Sequence, residues 1–264
     1  MGLNKALLQA LASTGYTKPT PIQEKAIPDV MLGKDLLGIA QTGTGKTAAF
    51  ALPILHRLAE NRTPPVPRTT RALILSPTRE LASQIGDSFK AYGAHLGFRV
   101  AVIFGGVKYG AQERALQQGL DILVAAPGRL LDHIQQKTLD LASTEIFVLD
   151  EADQMLDLGF IKPIRQIVSR MPARRQNLFF SATMAPEIER ITNTFLHAPV
   201  RIEVARQATT SETITQKLVE LVPSRRDMAA KQKRDLLRAL IDAEGEGLTN
   251  AIVFCNRKTD VDIV

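Results

Sequence analysis

Short apolar runs rich in β-branched residues alternate along this chain with longer segments in which apolar positions recur every three or four residues. The short runs are apolar throughout, as expected for strands that are buried on both faces of a parallel sheet. The longer segments have the period of amphipathic helices, which commonly connect parallel strands. The pattern therefore predicts an α/β fold, in which helices cover both faces of a parallel sheet.

The candidate strands are Asp35–Ala40, Arg71–Ser76, Arg99–Phe104, Ile122–Ala125, Glu145–Leu149, Asn177–Ser181 and Val200–Val204. The candidate helices between them are Thr47–Ala59, Thr78–Tyr92, Gly110–Gln118, Gly128–Gln136, Pro163–Arg170 and Pro186–Phe195. The proline-rich stretch Asn61–Thr70 has neither period, so we expect an exposed loop there.

A second α/β unit is expected to begin near the carboxyl end. We assign residues 1–205 to the first domain, 206–213 to a polar linker and 214–264 to the start of the second unit. Its predicted elements are a strand at Thr215–Val222, a helix at Asp227–Ala243 and a strand at Ala251–Phe254. A complete domain usually needs about 100 residues or more, so we expect this second unit to be incomplete.

Composition narrows the classes of protein that remain. The excess of 33 Lys+Arg over 27 Asp+Glu permits a polyanionic partner such as nucleic acid, although solvated surface charge fits equally well. No apolar run approaches the roughly 20 residues of a membrane helix and the amino-terminal residues lack a secretory pattern, so we expect a cytoplasmic protein without membrane contact. The single cysteine, Cys255, excludes an intramolecular disulfide, and the four histidines lack ligand spacing.

The clearest chemical pattern is AQTGTGKT, which ends at Thr47 and stands between an apolar strand and a helix. This order is typical of a loop that binds nucleotide phosphates through backbone N–H groups, a helix N-terminus and a lysine. Gly43 and Gly45 permit the tight backbone, and Lys46 should reach the β- and γ-phosphates. The hydroxyl of Thr47 is expected to ligate Mg²⁺. The general pattern begins with glycine rather than alanine, and the alternative is a glycine-rich turn with an exposed lysine.

Two carboxylates, Asp150 and Glu151, follow the apolar strand Glu145–Leu149. Open α/β sheets bind ligands at the carboxyl ends of their strands, so Asp150 should face the same crevice as Lys46. We expect Asp150 to hold Mg²⁺ through water and Glu151 to orient or deprotonate the attacking water. The alternative for Glu151 is a glutamate that stabilises the start of a helix.

Residues 150–153 read DEAD, and with the phosphate loop they make the chain resemble the DEAD-box helicases of superfamily 2. Other blocks match this family in order and spacing, and the resemblance spans residues 3–256. They are GYTKPTPIQ at 15–23 (similar to the Q motif), PTRELA at 77–82 (motif Ia), GG at 105–106 (the glycine pair), PGR at 127–129 (motif Ib), SAT at 181–183 (motif III) and IVF at 252–254 (the start of motif IV).

The resemblance implies a RecA-like ATP-binding domain followed by the start of a second one, in a monomer that uses ATP and Mg²⁺. Its substrate would be single-stranded or short duplex RNA, free or in RNA–protein complexes. The implied catalytic residues are Lys46, Asp150 and Glu151. The implied nucleotide contacts are Tyr16, Gln23, Gln41, Thr42, Gly43, Thr44, Gly45, Lys46 and Thr47. The implied RNA contacts are Thr78, Arg79, Gly105, Gly106, Pro127, Gly128 and Arg129. The implied coupling residues are Asp153, Ser181 and Thr183.

Without the resemblance, several of these residues have plainer interpretations. Gln23 fits a polar residue near the start of a helix, and Arg79 and Arg129 fit solvated surface charges. Ser181 and Thr183 fit ordinary capping at a strand end.

The chain also departs from the family's pattern. Ala126 stands where motif Ib usually has threonine, so one hydroxyl contact to RNA is lost. The family's adenine-stacking aromatic would precede Met1, and motifs V and VI would follow Val264. Because arginine fingers contribute about 10³–10⁵ in rate, we expect this chain alone to hydrolyse ATP poorly. Two rivals stay open. One is a DNA-acting motor, disfavoured by the DEAD sequence together with the Q motif, and the other is an RNA clamp whose ATP turnover is incidental.

Overall fold

The computed structural model describes residues 2–204, 215, 217–255 and 258–263. The chain divides into two compact units, Met1–Gln207 and Ala208–Val264. The strands of the first unit are β1 (Leu36–Ile39), β2 (Thr70–Leu75), β3 (Val100–Ile103), β4 (Leu120–Ala125), β5 (Ile146–Leu149), β6 (Gln176–Ser181) and β7 (Val200–Glu203). They form one seven-stranded sheet in the order β3-β4-β2-β5-β6-β1-β7, and all neighbours are parallel. The predicted strands of this unit and the α/β class are confirmed.

Helices cover both faces of this sheet. They are α1 (Lys5–Ser13), α2 (Pro21–Met31), α3 (Lys46–Glu60), α4 (Arg79–Tyr92), α5 (Tyr109–Gln117), α6 (Pro127–Gln135), α7 (Ala152–Asp157), α8 (Ile161–Val168) and α9 (Pro186–Phe195). Helices α1 to α4 pack on one face and α5 to α9 on the other. No helix among the described residues is long and apolar enough to cross a membrane.

The candidate helices did not include α1, α2 or α7, although the first two carry capping signals. The side chain of Asn4 accepts a hydrogen bond from Leu7 N at 2.9 Å and caps α1. Gln23 Oε1 accepts from Thr20 N at 3.0 Å, which is one half of a capping box at the start of α2. A threonine followed three residues later by glutamine was therefore a usable signal for α2.

Every strand except the edge strand β7 contributes to two hydrophobic cores, because successive side chains point to opposite faces of the sheet. In β2, Ala72 and Ile74 join the core beneath α3 and α4, whereas Leu73 and Leu75 join the core on the other face. All six residues of this strand are buried. This explains why the central strands read as continuous apolar runs.

A buried carboxylate fixes the end of the sheet from which β1 starts. Asp35, just before β1, accepts hydrogen bonds from Asn177 N at 2.7 Å, Asn177 Nδ2 at 3.1 Å and His197 N at 2.8 Å. These bonds satisfy a charge that would otherwise be costly to bury. They tie β1 to β6 and to the connection that leads into β7, and so hold in place the strand that carries the phosphate loop.

The second unit contains α10 (Ala229–Glu244), which confirms the predicted helix, and the short α11 (Lys258–Val261). The predicted strands Thr215–Val222 and Ala251–Phe254 are wrong, because residues 215, 217–223 and 251–255 form no strand. A strand needs a neighbour for its backbone groups, and Leu218 and Phe254 remain 99% and 92% exposed. The linker at 206–213 lies outside the described residues, and the assignment of a second RecA-like domain stays a prediction.

Candidate nucleotide and RNA site

The phosphate loop leaves β1 and enters α3 at Lys46. Gly43 and Gly45 have φ angles of 84° and 92°, in the left-handed region that residues other than glycine rarely adopt. A Cβ at Gly45 would also lie 2.5 Å from Gln23 Nε2, so glycine is required by space as well as by conformation. The free backbone amides in the first turn of α3 present a positive helix end to an anion. No side-chain cap and no acidic residue in this turn offsets that charge.

A buried ion pair lies beside this loop. Lys46 Nζ donates to Glu151 Oε1 at 2.8 Å, and the two side chains are only 5% and 10% exposed. Thr42 Oγ1 donates to the same carboxylate oxygen at 3.1 Å. Glu151 is therefore the counter-ion of Lys46, and an anion that approaches the loop must compete with this carboxylate for the ammonium group.

Asp150 is buried next to this pair, and its Oδ1 has no hydrogen-bond partner among the described residues. Burial raises the pKa of Asp150 to about 7, and the negative charge of Glu151 adds to the effect while Lys46 opposes it. A cation near Oδ1 would relieve the cost of ionising this carboxyl. The site thus has the oxygen chemistry that Mg²⁺ requires.

The half-buried Thr47 lines the same cavity as Asp150, which has a volume of about 270 Å³. Mg²⁺ usually keeps several waters and substrate phosphate oxygens, so one hydroxyl and one carboxylate are a sufficient protein contribution. No cluster of three or more His, Cys, Asp or Glu side chains suited to a metal occurs in the described parts of the chain. The residues present fit Mg²⁺ bound together with a nucleotide rather than a cation held by the protein alone.

The backbone turns sharply at Glu151, between β5 and α7. Its φ and ψ angles of 54° and 53° are left-handed, which costs a residue other than glycine about 1 kcal/mol or more. The hydrogen bonds of its carboxylate with Lys46 and Thr42 help to hold this conformation. Strained backbone at a buried acidic residue is a common property of functional sites.

Gln23 braces the phosphate loop from the amino-terminal side. Its Nε2 donates to Gly45 O at 3.1 Å, while its Oε1 accepts from Thr20 N. Both ends of the amide are therefore used within the protein, and a hydrogen bond to a base requires that one of them be exchanged or shared. A cavity of about 420 Å³ adjoins Gln23 and is lined by Tyr16, residues 17–19 and apolar side chains of α1.

Tyr92 was not predicted as a neighbour of the nucleotide loop. The Tyr16 and Tyr92 hydroxyls are 2.9 Å apart, and the two rings meet edge to face with centroids 5.8 Å apart. Both tyrosines line the cavity that contains Lys46 and Thr47. No local pattern could have identified this pair, because the two residues are separated by 76 positions.

The DEAD segment is bonded directly to motif III. Asp153 Oδ2 accepts from Thr183 N and from Thr183 Oγ1, each at 3.0 Å. Ser181 makes no such contact, and its buried Oγ has no hydrogen-bond partner among the described residues. Of the two hydroxyls that were expected to bond near Asp153, the structure brings only that of Thr183 there.

Motif Ia and the glycine pair are in contact on an exposed face. Arg79 Nη2 donates to Gly105 O at 2.5 Å, and the guanidinium carbon lies 5.1 Å from the centroid of the Phe104 ring. A Cβ at Gly106 would collide with Arg79 Nη2. Thr78 Oγ1 accepts from Leu81 N at 3.2 Å and caps α4, so this hydroxyl also has a structural role.

Motif Ib meets the same loop from the other side. Arg129 Nη1 donates to Gln112 Oε1 at 3.1 Å and to Val107 O at 3.3 Å. Pro127 occupies the first turn of α6, and Gly128 is exposed beside it. The three segments predicted to contact RNA are therefore assembled around one loop, residues 104–107.

A parallel sheet with a phosphate loop after β1 and an acidic pair after β5 defines a P-loop nucleotide-binding domain of the RecA-like class. The model of the DEAD/DEAH box helicase family matches residues 20–191. This chain belongs to that family.

Two curated relatives illustrate the similarity. The DEAD-box ATP-dependent RNA helicase CshA of Bacillus cereus is 42% identical over 262 residues, which are 99% of this chain and 47% of that protein. The ATP-dependent RNA helicase DeaD of Escherichia coli is 41% identical over 259 residues, 98% of this chain and 39% of that protein. The chain thus spans about half the length of the curated relatives it matches, or less.

Solved structures have the same fold. A DEAD box protein from the hyperthermophile Methanococcus jannaschii has a TM-score of 0.73 at 33% identity, covering 100% of this chain and 67% of that one. A hypothetical ATP-dependent RNA helicase from Sulfolobus tokodaii has a TM-score of 0.70 at 37% identity, covering 76% of this chain and 57% of that one.

Proposed function

We propose that this chain is the ATP-binding part of an ATP-dependent RNA helicase that couples hydrolysis to local unwinding of RNA or remodelling of RNA–protein complexes. The observation that carries the proposal is the buried Lys46–Glu151 ion pair beside an Asp150 oxygen that has no hydrogen-bond partner among the described residues. The names of the relatives CshA and DeaD support the same function.

In the proposed reaction, the β- and γ-phosphates of ATP take the place of Glu151 at Lys46. The freed Glu151 carboxylate then orients or deprotonates the water that attacks the γ-phosphate. Thr47 and Asp150 would hold Mg²⁺, which when bound neutralises phosphate charge. Tyr16 and Gln23 border the base, and a carboxamide can both donate to and accept from an adenine edge.

RNA would lie on the face built from Arg79, the glycine pair and Arg129. Guanidinium groups and exposed backbone amides contact phosphates without reading sequence, so we expect little sequence preference from this surface. Gly105 leaves open space in which the RNA strand can approach the main chain closely, and the space beside Gly106 holds the Arg79 guanidinium. The bonds between motif III and the DEAD segment would transmit the nucleotide state to neighbouring segments.

Nucleotide binding by this chain tests the first half of the proposal. We expect Lys46→Ala to weaken binding of a fluorescent ATP analogue with Mg²⁺ by about tenfold or more, since one hydrogen bond to a charged group is worth about 1.5–3 kcal/mol. Lys34→Ala is the matched control, because Lys34 pairs with Asp29 on the surface and its side chain is 50% exposed. Equal effects of the two substitutions would exclude the proposed phosphate site.

Hydrolysis tests the second half. ATP turnover is measured with single-stranded RNA, with DNA of the same sequence and without nucleic acid, on this chain and on a form extended through a complete second domain. RNA stimulation that Glu151→Gln abolishes in the extended form supports the helicase. Stimulation by DNA alone would favour the DNA-acting motor, and tight binding of ATP and RNA without turnover would favour the clamp.

A further inference from the structure

One buried side chain, Gln112 of α5, bonds to segments on both sides of the candidate RNA surface. Its Nε2 donates to Phe104 O at 2.9 Å, next to the glycine pair. Its Oε1 accepts from Arg129 Nη1 at 3.1 Å and is 3.2 Å from His133 Nε2. A main-chain carbonyl only accepts and a guanidinium only donates, so the chemistry fixes the orientation of the amide.

His133 completes this network inside the protein. It is fully buried and stacked on Tyr109, with ring centroids 4.2 Å apart and planes inclined by 17°. Burial lowers the pKa of His133, and the charge of Arg129 lowers it further, so the ring is uncharged at neutral pH. Because Gln112 Oε1 accepts, Nε2 carries the proton, and Nδ1 is left as an acceptor 2.8 Å from Thr138 Oγ1.

The network leaves one edge of the Arg129 guanidinium for a ligand. Its hydrogen bonds to described residues all run through Nη1, and its guanidinium carbon lies 5.6 Å from the centroid of the Tyr109 ring. The Nε atom is 3.9 Å from Asp132 Oδ2, too far for a hydrogen bond. Nε and Nη2 are therefore the donors that remain for a phosphate, and the guanidinium is positioned by Gln112 and Tyr109.

We propose that Gln112 is a positioning residue for RNA binding, which fixes the Arg129 guanidinium and the glycine-pair loop as one preformed phosphate-binding surface. This inference rests on the proposed RNA-binding function. Donors that are already ordered lose little conformational freedom when the ligand binds, and this increases affinity without any contact from Gln112 itself.

The test is Gln112→Met in this chain, which keeps the approximate side-chain volume and removes the bonds to Phe104, Arg129 and His133. We expect affinity for single-stranded RNA to fall about tenfold, which corresponds to the lower end of the free-energy range for a hydrogen bond to a charged group. We also expect the slope of log Kd against log salt to shrink by about 0.7, the contribution of one phosphate contact, while ATP affinity is unchanged. A purely structural defect would lower the active fraction without changing this slope.

Gln176→Met is the matched control. Gln176 is also a buried glutamine that donates to main-chain carbonyls, those of Val30 and Lys34, and accepts from Arg57, but at the start of β6. We expect it to lower the melting temperature and leave the RNA salt slope unchanged. If Gln112→Met does not fold, Gln112→Asn retains the amide but is one methylene too short to bridge both sides, and the same slope change is expected.

A double mutant separates the role of Gln112 from that of the RNA surface itself. If Gln112 acts through Arg129, then adding Gln112→Met to Arg129→Ala should produce no further loss of slope. The positioning role is overturned if Gln112→Met has the same salt slope as the wild type. It is also overturned if the slope losses of the two single mutants add fully in the double mutant. Unchanged affinity and slope in Arg79→Ala and Arg129→Ala would instead refute the proposed RNA surface.

Discussion

The burial of Asp150 makes a quantitative prediction about stability and pH. Its pKa of about 7 in the folded protein exceeds the ordinary value of 3.8, so the folded state holds the proton more tightly than the unfolded state. Stability linked to this proton is fully present below about pH 4, falls as pH rises and is lost above about pH 7. At about 1.36 kcal/mol per pH unit, the difference corresponds to about 4 kcal/mol, of which roughly a third is already lost at about pH 5.

Replacing the carboxyl by an amide should remove this loss. We expect Asp150→Asn to be more stable than the wild type at about pH 8 by a few kcal/mol. This gain should be about 2–3 kcal/mol larger at about pH 8 than at about pH 5. Asp87→Asn is the matched control, because Asp87 has a 74% exposed side chain that pairs with Lys90 on the surface. We expect the control to show little change at either pH.

Urea unfolding across about pH 5 to 8 in the presence of a chelator provides the measurement. The chain has no tryptophan, so circular dichroism is the better probe. When the chelator is omitted, Mg²⁺ with ATP should stabilise the wild type more than Asp150→Asn, because only the wild type offers the carboxylate. An Asp150→Asn gain that does not depend on pH, or a net destabilisation at the alkaline end, would refute the reasoning.

Two further substitutions test neighbouring contacts. Gly106→Ala should displace Arg79 Nη2 and weaken RNA binding about tenfold, whereas Gly159→Ala, which shares the left-handed backbone but meets open space, should change only stability. Equal RNA affinities of the two variants would count against the Arg79 contact. Tyr92→Phe should weaken ATP binding by about two- to tenfold through the loss of the Tyr16 bond, with RNA affinity unchanged in a parallel titration. An unchanged ATP affinity would mean that the tyrosine pair does not position the nucleotide.

Most of the first unit could be predicted because its strands are buried on both faces and its candidate functional residues come directly after the ends of strands. The apolar run before Asp150 and the glycines before Lys46 are local patterns, and each acts within a few residues. The Gln112 network was not predictable in this way. Gln112 meets Arg129 and His133 only because β3 and β4 are neighbours, and the pairing of strands is a long-range result of folding.

The strands predicted for the second unit failed for a related reason. An apolar run such as Ala251–Phe254 has the composition of a strand, but β structure exists only where another strand supplies hydrogen bonds. The helix Ala229–Glu244 could be predicted, because a helix satisfies its own backbone groups and needs no neighbour for them. The pattern therefore identified α10, whereas the two strands that it predicted do not form among the described residues.

The strand order explains why the two proposed sites lie side by side. Strands β3, β4 and β2 lead into the glycine pair, motif Ib and motif Ia, whereas β5, β6 and β1 lead into the DEAD segment, motif III and the phosphate loop. The proposed RNA and nucleotide contacts thus lie along the same edge of the sheet, and the boundary between them falls between β2 and β5. At this boundary Asp150 N donates to Leu75 O, and the buried hydroxyl of Ser76 and Asp150 Oδ1 both have no hydrogen-bond partner among the described residues. Because β5 pairs with both β2 and β6, a change at Asp150 on binding nucleotide would meet the strand that leads to Arg79 on one side and the strand that leads to motif III on the other.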